Sequence, residues 1–159
     1  MNRLYRTWIE IDTKKLRANV SEFLRLISPS TRLLAVIKSN AYGHGIVGIA
    51  EELAHMPAFR KQGWLGVDSI VEATRLRKEG INLPILNLGY ILPARLAEAA
   101  KNNISITISS PEILDRVHRS RIPLAIHVKF DTGMHRQGFH YTEFKKICDE
   151  ERKSVVENG

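Results

Sequence analysis

Five short apolar runs, each followed by residues at helical spacing, constrain the fold of this chain more than any other feature. The runs are Leu33 to Ile37, Trp64 to Val67, Pro84 to Leu88, Ile104 to Ile108 and Leu124 to Val128. Runs this short, bounded by glycine, proline and polar residues, read as buried strands. Between them lie helical patterns. Leu16, Val20, Phe23, Leu24 and Ile27 place a helix over about Thr13 to Ser28, with Asp12 as N-cap and Pro29 after its end. Ile46 to His55 reads as a second, and Ser69 with Glu72 forms a capping box for a third that stops near Gly80. Pro93 opens a fourth, through about Lys101, and Ser110 with Pro111 starts a fifth that turns Ile113, Leu114 and Val117 inward. A final helix over about Thr142 to Lys153 would use Phe144, Ile147 and Cys148 as its inner face, Thr7 to Ile11 has the flavour of a strand, and His55 to Gln62 reads as a surface loop. No internal repeat or low-complexity segment stands out.

A βα rhythm of this kind predicts α/β architecture with a parallel sheet and right-handed crossovers. Five units do not close an eight-stranded barrel, which takes roughly 250 residues. The expectation is a partial TIM-type (β/α) barrel with about five parallel strands. Residues 1–12 would be an N-terminal strand segment and residues 13–159 the N-terminal part of the barrel domain.

One residue breaks the first apolar run: Lys38 follows Ile37 and is followed at once by Ser39, Asn40, Ala41, Tyr42, Gly43, His44 and Gly45. It should emerge at the carboxyl end of a strand, where α/β barrels keep their chemistry. An amine there can add to an aldehyde and form a Schiff base. The plainer reading is a solvated lysine capping a strand. Gly43 and Gly45 ahead of a helix could cradle phosphate with backbone N–H groups, or simply let the loop bend.

The string Lys38-Ser39-Asn40-Ala41-Tyr42-Gly43-His44-Gly45 resembles the pyridoxal-phosphate site of the alanine racemase family, whose usual form carries alanine where Ser39 stands. A second string, Asp131-Thr132-Gly133-Met134-His135-Arg136-Gln137-Gly138, is similar to the family's Asp-Thr-Gly-Met-x-Arg-x-Gly signature and again follows an apolar strand. Landmarks between them, from Gly63-Trp64-Leu65-Gly66-Val67 to Leu83-Pro84-Ile85-Leu86-Asn87-Leu88-Gly89, extend the likeness over nearly the whole chain. The resemblance implies that Lys38 carries the cofactor, pyridoxal 5'-phosphate, and is the catalytic base on one face of it. It also implies that Tyr42 binds the cofactor phosphate, and that Arg136 lies beside the cofactor ring oxygen and the substrate carboxylate. Lys129 stands where some members carry a carbamylated lysine. Outside its motif, Arg136 would read as a surface salt-bridge arginine.

Carried further, the resemblance implies an alanine racemase: interconversion of L-alanine and D-alanine, supplying D-alanine for the bacterial cell wall, by a cytoplasmic homodimer. The family's last barrel units and C-terminal β domain, which bring a tyrosine from the partner subunit and further phosphate ligands, have no counterpart in the sequence. The chain thus reads as truncated and inactive alone. Three alternatives stay open: another pyridoxal-phosphate-dependent amino-acid racemase, acting on serine for example; a single-domain cofactor-homeostasis protein; or a partial barrel serving as a binding module.

Composition narrows the rest. The formal charge is +7, but the basic residues alternate with acids, as in Glu72, Arg75, Arg77, Lys78 and Glu79, and no aromatic-basic interleaving accompanies them. That is a solvated helix face rather than a nucleic-acid footprint. The single cysteine, Cys148, has no partner for a disulfide, and the spacing of the six histidines matches no zinc pattern, so no metal is expected. No apolar run is long enough to span a membrane, and the charged Met1 to Asp12 segment lacks a signal-peptide core.

Overall fold

All five apolar runs enter one parallel sheet in sequence order, in a computed structural model that describes residues 7–149. The strands are β1 (Leu33–Val36), β2 (Gly63–Val67), β3 (Ile85–Asn87), β4 (Ile104–Ile108) and β5 (Ile126–Val128). Helix α1 (Thr13–Leu26) leads in, its first turn capped by Asp12, whose Oδ1 accepts from the Lys15 N–H at 3.0 Å. A short turn, α2 (Lys38–Tyr42), follows β1 and leads into α3 (Ile46–Ala54) and α4 (Pro57–Gln62). Helices α5 (Ile70–Lys78), α6 (Leu96–Lys101) and α7 (Pro111–Ser120) link the later strands. The fold is a partial (β/α) barrel of five parallel strands.

Register decides which side chains meet. Leu34 pairs with Trp64, Val36 with Gly66, Gly66 with Leu86, Leu86 with Ser105, and Thr107 with His127. These residues therefore share one face of the sheet. The opposite face carries Leu65, Val67, Ile85, Ile104, Ile106 and Ile108, all buried under the helices against Ala50, Leu53, Ala73, Leu76 and Ala99. Burial of this face explains the apolar residues at alternate positions; Asn87 departs from the pattern, wholly buried on the same face with Nδ2 donating to the Gly89 carbonyl at 3.1 Å.

The first face is concave. β2 and β5 are three strand spacings apart, about 14 Å in a flat sheet, yet the Trp64 and His127 rings meet edge to face at 5.7 Å. The sheet is curled as a barrel wall is, and its carboxyl ends form one rim.

Several expectations need correction. The 55–62 connection is not a loop: Pro57 starts α4, and Phe59 is wholly buried over the backbone of Gly63, where a Cβ would run into its ring. Residues 7–11 pair with no strand among the described residues, in keeping with the reading that this segment, taken alone, has no sheet to enter, and Trp8 and Ile9 are exposed. At the other end a 3₁₀ turn, Tyr141–Glu143, precedes helical residues 144–149. Ile147 is buried there, whereas Phe144 is exposed apart from a ring contact with Phe130 at 5.1 Å. The predicted helix beyond residue 149 lies outside the described residues.

Candidate functional site

Lys38 and Asp68 each lie two residues beyond a paired position, Val36 and Gly66. Continuing the register past both strand ends sets them side by side on the rim of the concave face. Lys38 Nζ and Asp68 Oδ1 are 3.4 Å apart, with the lysine side chain 36% and the aspartate 56% exposed. An exposed pair of this kind adds little to stability. What it does is draw the amine toward the neck of β2.

The backbone that carries Lys38 is unusual. Ser39, Asn40, Ala41 and Tyr42 all have φ near +54°, a full left-handed turn built without glycine. Each such residue costs roughly 1–2 kcal/mol, so the turn exists because its surroundings enforce it. The Ala41 N–H donates to the Ile37 carbonyl at 2.8 Å, and Asn40 Oδ1 accepts from the Ile46 N–H at 3.0 Å, tying the turn to the start of α3. His44 Nδ1 lies 2.8 Å from the Ala41 carbonyl. Gly43 ends the turn at φ +91°, a value that suits glycine, and it acts here as the turn former.

Tyr42, at the far end of this turn, is 62% exposed. With His44, Val36 and Ile37 it lines a groove of about 480 Å³ along the free edge of β1, closed on its other side by Leu16 and Val20 of α1. A second cavity, of about 250 Å³, opens between Asn103, Ser105 and Leu124 at the amino ends of β4 and β5, away from Lys38.

The second motif forms its own loop. β6 (Phe130–Asp131) pairs with β7 (Phe139–His140), and residues 132–138 bulge between them. Asp131 Oδ1 accepts from the Gly133 and His135 N–H groups at 2.9 and 3.1 Å, and these bonds hold its carboxyl below the usual carboxylate range. Gly138, at φ +128°, lies so close to the Asp131 N–H group that a Cβ would sit 2.7 Å from the nitrogen. Arg136 is exposed on this loop, and nothing among the described residues pairs it with the Lys38 turn. Lys129 is half-buried, its N–H bonded to the Ile108 carbonyl at 2.8 Å and its carbonyl to the Phe139 N–H at 2.9 Å. Lys38 and Tyr42 thus share one turn, whereas Arg136 and Lys129 sit on the β5 side of the sheet.

Three participants had no signal in the sequence. Asp68 becomes visible only once register is known. Glu72 reads as a helix cap, yet Oε2 accepts from the Asp68 N–H at 2.9 Å and Oε1 from the Asn40 N–H at 3.3 Å. Thr107, on the lysine's face, is buried with its hydroxyl unpartnered. A primary amine at the rim and a phenol on the same turn are groups that suit an anionic aldehyde-bearing ligand, while Thr107 lies three strands away on β4. No group of His, Cys, Asp and Glu among the described residues could hold a metal ion, and no helix among them is long and apolar enough to cross a membrane.

Comparison with known proteins gives one consistent set of matches. The family model for the alanine racemase N-terminal domain matches residues 11–155. An alanine racemase from Desulfovibrio desulfuricans is 40% identical over 89% of this chain and 38% of its own length, and one from Methanococcus maripaludis is 37% identical over 83% and 35%. Among solved structures, the alanine racemase of Clostridium difficile 630 superposes with a TM-score of 0.77 at 35% identity, covering 96% of this chain and 39% of that one. The chain therefore spans somewhat over a third of the length of the relatives it matches.

Proposed function

The chain belongs to the alanine racemase family, over its N-terminal domain, and from that premise we propose that Lys38 is the cofactor lysine of a pyridoxal-phosphate-dependent alanine racemase. The observation that carries the proposal is Lys38 on the carboxyl rim of a curled parallel sheet, on a turn enforced against its own backbone preference. When bound, the cofactor supplies an electron-withdrawing ring that spreads negative charge from the substrate α-carbon. Lys38 anchors it through the Nζ amine and holds or returns the α-proton on one face. Tyr42 binds the cofactor phosphate. Arg136 presents a planar fork of donors suited to the substrate carboxylate, and Lys129, when carbamylated, orients it.

Racemisation needs an acid/base group on each face of the α-carbon. Lys38 supplies one. By the family resemblance the second belongs to the part of the relatives' length that these residues do not span. In the whole enzyme, a cytoplasmic homodimer, the product is D-alanine for cell-wall synthesis.

The test is proton exchange without racemisation. With pyridoxal phosphate in D₂O, the chain should exchange the α-proton of one alanine enantiomer with retained configuration, and Lys38→Ala should abolish this. Exchange that persists in Lys38→Ala would remove Lys38 from its role. Full racemisation by this chain would overturn the division of labour between the two faces.

A further inference from the structure

Ser69 and Glu72 form only half of a capping box. The Ser69 hydroxyl accepts from the Glu72 N–H at 3.3 Å, as a cap should, but the Glu72 carboxylate turns away from the Ser69 N–H that would complete the box. One oxygen takes the Asp68 N–H at 2.9 Å. The other crosses to the neighbouring βα unit and takes the Asn40 N–H, in the middle of the left-handed turn, at 3.3 Å.

We infer that Glu72 is a positioning residue for Lys38: its carboxylate clamps the turn after β1 to the loop after β2 and so fixes where the amine emerges. This rests on Lys38 being the cofactor lysine. Ala41 to Ile37, Ile46 to Asn40 and His44 to Ala41 join residues of the same βα unit and fold the turn. Its base is tied to β2 by the Ile37 N–H, which donates to the Gly66 carbonyl at 2.8 Å, and its lysine reaches Asp68. Glu72 adds a backbone tie at the middle of the turn, through one anion and two backbone donors. Asp68 receives the same clamp on its own N–H, so the carboxylate that faces Lys38 is placed by the same group. A carboxylate accepting from backbone N–H groups makes charge-assisted bonds, the stronger kind.

The test compares Glu72→Ala, Glu72→Gln and Ser69→Ala in the 159-residue chain, without cofactor. Two quantities are read: amide hydrogen exchange at Asn40, and the reactivity of Lys38 toward trace acetylation relative to exposed Lys14. Glu72→Ala should speed exchange at Asn40 by about tenfold or more, the factor matching loss of a bond to a charged acceptor, and should change the Lys38 to Lys14 ratio. Glu72→Gln, with one acceptor oxygen, should fall between. Ser69→Ala removes the helix cap alone and should leave the ratio at its parent value.

An unchanged ratio in folded Glu72→Ala, or an equal shift in Ser69→Ala, would reduce Glu72 to a helix-stabilising role. If Glu72→Ala does not fold, the contrast between Glu72→Gln and Ser69→Ala decides. Acetylation needs no pyridoxal phosphate. Failure of Lys38 to take the cofactor would therefore count against the proposed function, and an unmoved acetylation ratio against the clamp.

Discussion

Replacing Arg77 with methionine should destabilise the fold by about 2–3 kcal/mol. Its guanidinium sits at the amino end of the sheet and donates only to backbone carbonyls: Nε to Asn102 at 2.9 Å, Nη1 to Ile81 at 2.6 Å and Leu83 at 2.9 Å, and Nη2 to Asn103 at 3.0 Å. It thereby joins the segments entering β3 and β4. At about 1 kcal/mol net for each bond, the four amount to about 4 kcal/mol. Burial lowers the Arg77 pKa, the mark of a desolvated charge, and that desolvation cost offsets part of the gain. Urea unfolding with a common m-value measures the difference directly. Arg77→Lys should lose at least half as much, because a compact ammonium cannot span carbonyls on both segments. A midpoint for Arg77→Met within about 0.5 kcal/mol of the parent, the range of a neutral surface change, would refute the reasoning.

Phe59→Ala should cost about 3–5 kcal/mol by cavity formation, read by the same unfolding curves; a smaller loss would mean that α4 packs less firmly than its buried ring implies. Ser39→Gly should raise stability by about 0.5–1 kcal/mol by relieving a φ of +54°, while Ser39→Val should lower it, since a β-branched residue resists that conformation. Thermal melts in which Ser39→Gly lowers stability and Ser39→Val leaves it unchanged would contradict the left-handed turn. For Asp131 the folded pKa is depressed, so its contribution is present above the unfolded value, about 3.9, and is lost as pH falls through the folded one. Parent and Asp131→Asn should differ in stability near neutral pH and converge in strong acid; curves separated by a constant amount would show that the carboxylate charge is not what organises the loop.

How much of this was legible without coordinates depended on the length of each signal. The β-branched run Ile104–Ile108 is a strand to the residue, and Ile113, Leu114 and Val117 face inward as their spacing requires. α4 was missed because six residues with one buried ring are too short for a 3.6-residue period to emerge. The two strings, one bearing Lys38 and the other Arg136, announced their family, yet the left-handed turn inside the first was invisible, since of Ser39, Asn40, Ala41 and Tyr42 only asparagine favours that conformation. The Lys38–Asp68 pair and the Glu72 bridge depend on which strands lie in register, which no local pattern encodes. Phe144 shows the converse error: it fits an inner-face spacing but is exposed, with a ring contact to Phe130 at 5.1 Å.

The central claim is that this half-barrel presents Lys38 as a cofactor lysine. Incubating the chain with pyridoxal phosphate, reducing with borohydride and mapping modified peptides by mass spectrometry tests it most directly. The account predicts a phosphopyridoxyl group concentrated on Lys38 at low reagent excess. Modification spread evenly over exposed lysines such as Lys14 and Lys15, with Lys38 no more reactive than they are, would contradict it.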